Sequence, residues 1–328
     1  MNKEIELWHF IAERLHANER AMLLVVAESI GSSPGRQGYK MAVGADGELI
    51  GSIGGGVMEV NLVEQSRKFL SEPSAVAHGL TSFLKPQIHQ KRAENSSGMI
   101  CSGKQTVIFK MLLPEDQVDV DRAVFALKKQ RRDILALSPD LFAVSPLEGA
   151  THIAEFVFEK RSDADFFYRE KLGFKNELCI IGGGHCALAL CELMSKMDFR
   201  ISLFDDRPNL NTIDKNKFAH EIQIIDSYES IADLIPGGDN NYIVVMTLGY
   251  KTDETVITKL LEKEFKYFGV LGSKAKMATL MKNLKERGYK KEKLDRLHTP
   301  IGLPINSRTP EEIAVSIAAE IIAVKNVD

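Results

Sequence analysis

The chain has 328 residues and a formal net charge of −3 at pH 7, with acidic and basic side chains mixed along its length. At roughly 100–200 residues per domain this length implies two domains, each able to bury an ordinary core. The charge provides no broad positive field for phosphate backbones or anionic lipid, so neither nucleic acid nor a membrane surface is expected as a partner.

The opening stretch MNKEIELWHFIAERLHANER is charged and sets Ile5, Trp8, Ile11, Ala12 and Leu15 on one helical stripe, which is an amphipathic helix and not a secretory signal. No stretch supplies the about 18 consecutive apolar residues that a membrane-spanning helix needs. A cytoplasmic protein is therefore expected, in which the 4 cysteines, Cys101, Cys179, Cys186 and Cys191, remain thiols. A strand over AMLLVVAESI comes next, then the loop GSSPGRQG, a strand over YKMAVG and a turn at Ala45-Asp46-Gly47-Glu48. GSIGGG opens a helix over VMEVNLVEQSRKFL; QTVIFKMLL reads as a strand and VDVDRAVFALKKQ as a helix. Residues 1–160 are thus expected to form an α/β domain with a mixed, partly antiparallel sheet.

Between residues 159 and 177 charge rises and no apolar period is sustained, so a linker is expected over 161–175. From 176 to 328 the pattern changes to alternating strands and helices: ELCII, HCALALCELMSKM, RISLFDD, EIQIID, SYESIADLI, NYIVVMTLG, TDETVITKLLEKEF and KYFGVLG. That alternation implies a Rossmann-like, doubly wound parallel sheet. In the closing segment Thr309-Pro310-Glu311-Glu312 has the form of a helix start with a capping box.

Gly182-Gly183-Gly184 with Ala187 fills the G-x-G-x-x-G/A pattern at a strand-to-helix turn, where a backbone without Cβ atoms lets a phosphate approach free amides. Asp205 and Asp206 end the next strand, where an acidic ribose contact is expected in this fold. The alternative for the glycines is a turn that serves only packing. His185, in the first turn of the helix, is either a ligand contact or simply exposed. Gly54-Gly55-Gly56 also enters a helix but has no wider fingerprint, and Glu59 in that first turn has an ordinary reading as a helix-dipole partner. Cys101 sits among small residues before a strand, near Lys104, and is either a reachable thiol or a buried packing residue. There is no C-x-x-C, H-E-x-x-H or G-x-S-x-G motif, which leaves a structural zinc site or a serine hydrolase without support.

GSSPGRQGYKM with GELIGSIGGGVME, GMICSGKQTVIF, IIGGGHCALAL with SLFDDRP, and GVLGSKAK with LHTPIGLPINSRTPEEIAVSIAAEI together resemble the XdhC/CoxI proteins, the xanthine dehydrogenase accessory factors, over nearly the whole chain. The resemblance implies a protein of purine catabolism that binds molybdenum cofactor, as molybdopterin or its dinucleotide form, protects its sulfurated state and passes it to an apo molybdenum hydroxylase. A cysteine desulfurase would supply the sulfur, and the oligomeric state, a homodimer included, is open. On these readings the cofactor contacts are Gly182, Gly183, Gly184, His185, Ala187, Asp205, Asp206, Arg207, Gly54, Gly55, Gly56, Glu59, Cys101, Gly272, Ser273 and His298, with no catalytic residue and no metal ligand assigned. The chain departs from the family's pattern at Val57 and Ser102, where cysteine and glycine are common, and at Leu248, where histidine is common. Two other functions fit the same motifs: an NAD(P)-dependent oxidoreductase using Gly182, Gly184 and Asp205, with His298 handling a proton, or a scaffold that binds no ligand.

Overall fold

A computed structural model describes residues 3–72, 81–88, 103–147 and 154–327. Cys101 lies outside the described residues. The chain divides into two units, Met1–Gly173 and Phe174–Asp328.

The first unit begins with helix α1 (Lys3–His16), whose apolar stripe is buried as its period requires: Trp8 and Ile11 are inaccessible to solvent. Strand β1 (Ala21–Gly31) is central to a sheet in which β2 (Lys40–Gly44), β3 (Leu49–Gly51), β4 (Ser82–Ile88) and β5 (Gly103–Leu112) run in the order β3-β2-β1-β5-β4. Its continuous apolar run is explained by burial on both faces. Leu23, Val25 and Ala27 join one core with α1, while Met22, Leu24 and Val26 join another with Met58 and Leu62 of helix α2 (Gly56–Ser71). Helix α3 (Gln117–Lys128) adds Val120, Ala123 and Leu127 to the first core.

Inside this unit Lys40 lies between two carboxylates, its Nζ 2.9 Å from Glu4 Oε1 and 2.7 Å from Glu170 Oε1. Glu170 is 1 % exposed and also accepts a hydrogen bond from Tyr168 Oη at 2.8 Å. Burial works against the lysine's charge, but Glu170 and Glu4 outweigh it and hold its pKa above the usual value.

The segment expected to be a linker is folded. Strands β6 (Asp133–Leu137), β7 (Phe142–Pro146), β8 (Phe156–Ser162) and β9 (Asp165–Lys171) form a second sheet in the order β7-β6-β9-β8, and the unit boundary falls after Gly173. The charge that reads as a linker is the outward face of a hairpin. In β9 burial alternates, with Phe166, Tyr168 and Glu170 directed inward. Every strand pair described in this unit is antiparallel, where the sequence suggests a mixed sheet. A strand buried on both faces has the same apolar signature in either type of sheet.

The second unit carries a six-stranded sheet in the order β12-β11-β10-β13-β14-β15. Its strands are β10 (Asn176–Ile181), β11 (Phe199–Asp205), β12 (Glu221–Ile224), β13 (Gly238–Val245), β14 (Phe265–Val270) and β15 (Leu297–His298), and every pair is parallel. In chain order the helices are α4 (His185–Met194), the single turns α5 (Asn211–Asp214) and α6 (Ile231–Leu234), α7 (Tyr250–Leu260), α8 (Lys274–Glu286), the single turn α9 (Lys291–Leu294) and α10 (Pro310–Lys325). Helices α4 and α10 pack on one face through Leu190, Met194, Ile317 and Ile321, and α7 and α8 on the other through Val256, Leu260 and Leu280. SYESIADLI, expected to be one helix, is a 3-10 turn at Tyr228–Ser230 followed by α6. Among the described residues no helix is long and apolar enough to cross a membrane.

The capping box of α10 forms as its sequence implies: Thr309 Oγ1 accepts from Glu312 N at 3.2 Å, and Glu312 Oε2 accepts from Thr309 N at 3.2 Å. Thr309→Ala is expected to cost about 1 kcal/mol, read in thermal denaturation as a fall of about 2–4 °C.

Candidate functional site

In the parallel sheet the chain leaves β10 for β11 on one side and later returns to β13 on the other. A crevice opens at such a reversal, outside the carboxyl ends of the strands. The loop after β10 is Gly182-Gly183-Gly184. Gly182 has φ +108°, and a Cβ there would lie 2.3 Å from Met246 O, so only glycine fits. Gly184 differs: its φ is −72°, and a Cβ built on it meets nothing within 4 Å. No side chain caps the start of α4, so its first-turn amides have no side-chain partner. His185 is exposed in that turn and Ala187 is buried against the sheet.

Asp205, at the end of β11, is inaccessible to solvent. Its Oδ2 accepts from Gly183 N at 2.5 Å and Arg207 Nη2 at 2.7 Å, and its Oδ1 from Arg207 N and Nε, each at 2.9 Å. Burial pushes the carboxyl up, but these donors more than offset it and hold its pKa below the usual range. Of the two carboxylates expected at a ribose, Asp205 is therefore fully engaged within the chain and roofed by Arg207. Gly183 is fixed as well, because Thr212 Oγ1 donates to its carbonyl at 2.5 Å. Asp206 stays exposed, 3.9 Å from Arg207 Nε.

The loops after β13 and β14 hold a network that local sequence does not reveal. Buried Asp253 of α7 accepts from Thr247 Oγ1 at 2.6 Å, from Thr247 N at 3.1 Å and from Lys276 Nζ at 2.7 Å. Ser273 caps α8 by accepting from Lys276 N, and Gly272 packs so closely that a Cβ would lie 2.4 Å from Met277 Cε. Leu248, between Thr247 and Gly249, is 81 % exposed.

His298 lies on β15, two strands beyond β13. Its Nδ1 is 3.3 Å from Glu320 Oε1, while Glu320 Oε2 accepts from Tyr267 Oη at 2.5 Å and Gly302 N at 2.8 Å. Burial raises the Glu320 carboxyl, but His298, Tyr267 and the Gly302 amide outweigh it and hold its pKa low. His298 also lines a cavity of about 240 Å³ with Phe265, Lys266, Tyr267, Phe268 and Arg296.

In the first unit Glu59 Oε2 accepts from Ser52 Oγ at 2.7 Å and from the amides of Ile53 and Gly55, each at 2.9 Å. The carboxylate thus holds the Gly54-Gly55-Gly56 loop from inside. Fully buried Gln105 secures the neighbouring loop, accepting from Ser33 Oγ at 2.7 Å and Gly35 N at 3.1 Å and donating to Ile53 O at 3.1 Å. Among the described cysteines, burial pushes Cys179 well up and Cys191 to about 11; Cys186 is raised by burial and by Glu311. None of these three is an activated thiol. No group of three or more His, Cys, Asp or Glu side chains among the described residues is placed to hold a metal ion.

A glycine turn at the switch point of a doubly wound parallel sheet defines a Rossmann-type domain. The chain belongs to the XdhC and CoxI family: the family's XdhC Rossmann domain model matches residues 178–321, and its XdhC and CoxI family model matches residues 14–78. It is 25 % identical over 308 residues to the uncharacterized protein YqeB of Escherichia coli (strain K12), matching 92 % of this chain but spanning only 43 % of that protein. It is also 25 % identical over 331 residues to a probable xanthine dehydrogenase subunit of Bacillus subtilis (strain 168), covering 94 % of each. A crystal structure from Bacillus halodurans, described as a xanthine dehydrogenase, superposes with TM-score 0.69 at 23 % identity, over 98 % of this chain and 95 % of that one. At that identity the likeness speaks for the fold.

Proposed function

We propose that this chain is an accessory factor of a xanthine dehydrogenase-type molybdenum hydroxylase, binding molybdenum cofactor at the carboxyl edge of its parallel sheet and delivering it to the apo-enzyme. Family membership supports the accessory role, and the probable xanthine dehydrogenase subunit that matches along nearly its whole length supports the partner. One observation supports cofactor binding here: the side of Gly184 is open and the first turn of α4 has no side-chain cap, which fits a phosphate. In this reading the amides of that turn hold the cofactor's phosphate, and Gly182 and Thr212 keep the turn rigid. The cofactor, when bound, supplies the redox chemistry for the enzyme that receives it. The chain grips the organic part, and a cysteine desulfurase provides the terminal sulfur. The dinucleotide oxidoreductase reading loses Asp205 as its acidic anchor, since that carboxylate already accepts four hydrogen bonds from within the chain, and is left with the exposed Asp206.

The test is to purify the protein from molybdenum-replete cells, measure released pterin and metal, and add it to apo-hydroxylase. Co-purifying pterin and molybdenum, with hydroxylase activation, is the expected result. A protein without pterin, whose melting temperature does not rise with added cofactor, would be the scaffold instead, because a ligand that binds only the folded state must stabilise it.

A further inference from the structure

The cavity that His298 and Arg296 line with Phe265, Lys266, Tyr267 and Phe268 measures about 240 Å³. Strand β15 pairs with β14 only through Leu297 and His298, set against Phe268 and Gly269, so among the described residues no strand covers Phe265, Lys266 or Tyr267 on that side. Successive side chains of a strand alternate between faces, so a space touching four residues in a row runs along the open edge of β14. It follows the start of a strand whose carboxyl end is Val270, and so lies apart from the glycine turn after β10. The Arg296 guanidinium is taken by Glu264 and by the carbonyls of Leu261 and Lys263. Lys266, half-buried, meets no acceptor among the described residues. The His298 ring packs on Tyr267 with centroids 4.5 Å apart and keeps 32 % of its side chain exposed. Its Nδ1 faces Glu320, on which Tyr267 Oη and the Gly302 amide also converge. An ionised carboxylate only accepts, so the neutral ring carries its proton on Nδ1 and directs an unshared lone pair away from Glu320 at Nε2.

We propose that this cavity is a second ligand site, for a small planar organic anion that also carries an O–H or N–H donor. The anionic group pairs with Lys266, the donor is accepted by His298 Nε2, and the ring lies among Phe265, Tyr267 and Phe268. Charge selects the anion, since no carboxylate lines the cavity and Lys266 is its one cation left without an acceptor among the described residues. Volume selects the ring: a cavity of about 150 Å³ holds benzene, so about 240 Å³ holds a ring with two polar substituents. Register sets their spacing. His298 stands opposite Gly269, three residues beyond Lys266, which is about 10 Å along a strand. The lysine side chain spans part of that distance, and a ligand with its anion and its donor at opposite ends of one ring spans the rest. Glu320 is the positioning residue, because it holds the imidazole in the tautomer that accepts.

The test is a titration of the full-length protein, its histidines labelled with nitrogen-15, followed by NMR. Without ligand, His298 is expected to show the proton on Nδ1. Added 4-hydroxybenzoate should move the His298 Nε2 resonance and bind about tenfold more tightly than 4-methoxybenzoate, which keeps the charge and the ring but lacks the donor. Phenol, which lacks the charge, and inorganic phosphate, which lacks the ring, should both bind more weakly than 4-hydroxybenzoate. Lys266→Met should melt as wild type does, because that side chain has no partner to lose, and bring 4-hydroxybenzoate down to the affinity of phenol. His298→Phe should erase the difference between the acid and its methyl ether; if that variant fails to fold, the wild-type comparison and Lys266→Met still decide. A proton on Nε2, equal binding of the acid and its ether, undiminished affinity in Lys266→Met, or no binding at all overturns the proposal. Gly184→Asp should leave this binding unchanged, so the phosphate turn and the His298 cavity can each fail without the other.

Discussion

Gly182→Ala is expected to unfold the second unit or to lower its melting temperature sharply, whereas Gly184→Asp should leave the fold intact and abolish ligand binding. The two positions are two residues apart but physically opposite. At 182 a methyl group would lie 2.3 Å from a backbone carbonyl at φ +108°, and neither strand can move without breaking the sheet. The left-handed backbone alone costs about 1–2 kcal/mol, and the clash adds to it. At 184 the backbone is one any residue adopts and the Cβ direction is empty, so the new carboxylate stands where the phosphate is proposed to sit. A loss of affinity of at least about tenfold, or about 1.4 kcal/mol, with an unchanged melting curve is the outcome to look for. Wild-type affinity in folded Gly184→Asp would sink the phosphate assignment. The same turn gives the unit an acid sensitivity. Asp205 has a depressed pKa, so its stabilisation is complete above the unfolded value of about 3.9 and is lost as pH falls through the lower folded value.

Lys40→Met should be the most damaging substitution in the first unit, at about 3–5 kcal/mol, because it removes the cation from a buried ion pair and leaves Glu170 charged in the interior. The double variant Lys40→Met, Glu170→Gln should recover much of that loss, since the amide keeps an acceptor for Tyr168. Denaturant titration of the two variants decides the point, and a double variant no more stable than the single one would show that the pair is not the cause. A raised lysine contributes stability that is complete below its unfolded pKa of about 10.4 and is lost only as pH rises through its higher folded value. The deficit of the single variant should therefore be flat between about pH 6 and pH 9.

The second unit was largely legible because its signals are local. A strand ending in glycines, a helix with a 3.6-residue period and a capping box each occupy a few consecutive residues, and β10, α4 and the Thr309 cap follow them. The β8 and β9 hairpin was not, since its outward charges hide an alternation that only its partner strands make visible. Within the site, glycines announce themselves but partners do not. Nothing near Asp205 says that Arg207 folds back over it, and Lys276 reaches Asp253 only through the parallel return of the chain.

Glu59 makes the Gly54-Gly55-Gly56 loop an anion receptor that the chain saturates itself. Three donors converge on one carboxylate oxygen, as they would on a captured phosphate. Because that oxygen is tethered to the adjoining helix, its effective concentration is about millimolar or higher, and a diffusing anion must displace it to enter. Glu59→Ala would convert the loop from a self-satisfied turn into a vacant receptor. Wild type keeps this one shut; at the β10 turn the internal carboxylate of Asp205 takes only the Gly183 amide, and the uncapped first turn of α4 beyond it is where the phosphate is proposed to sit.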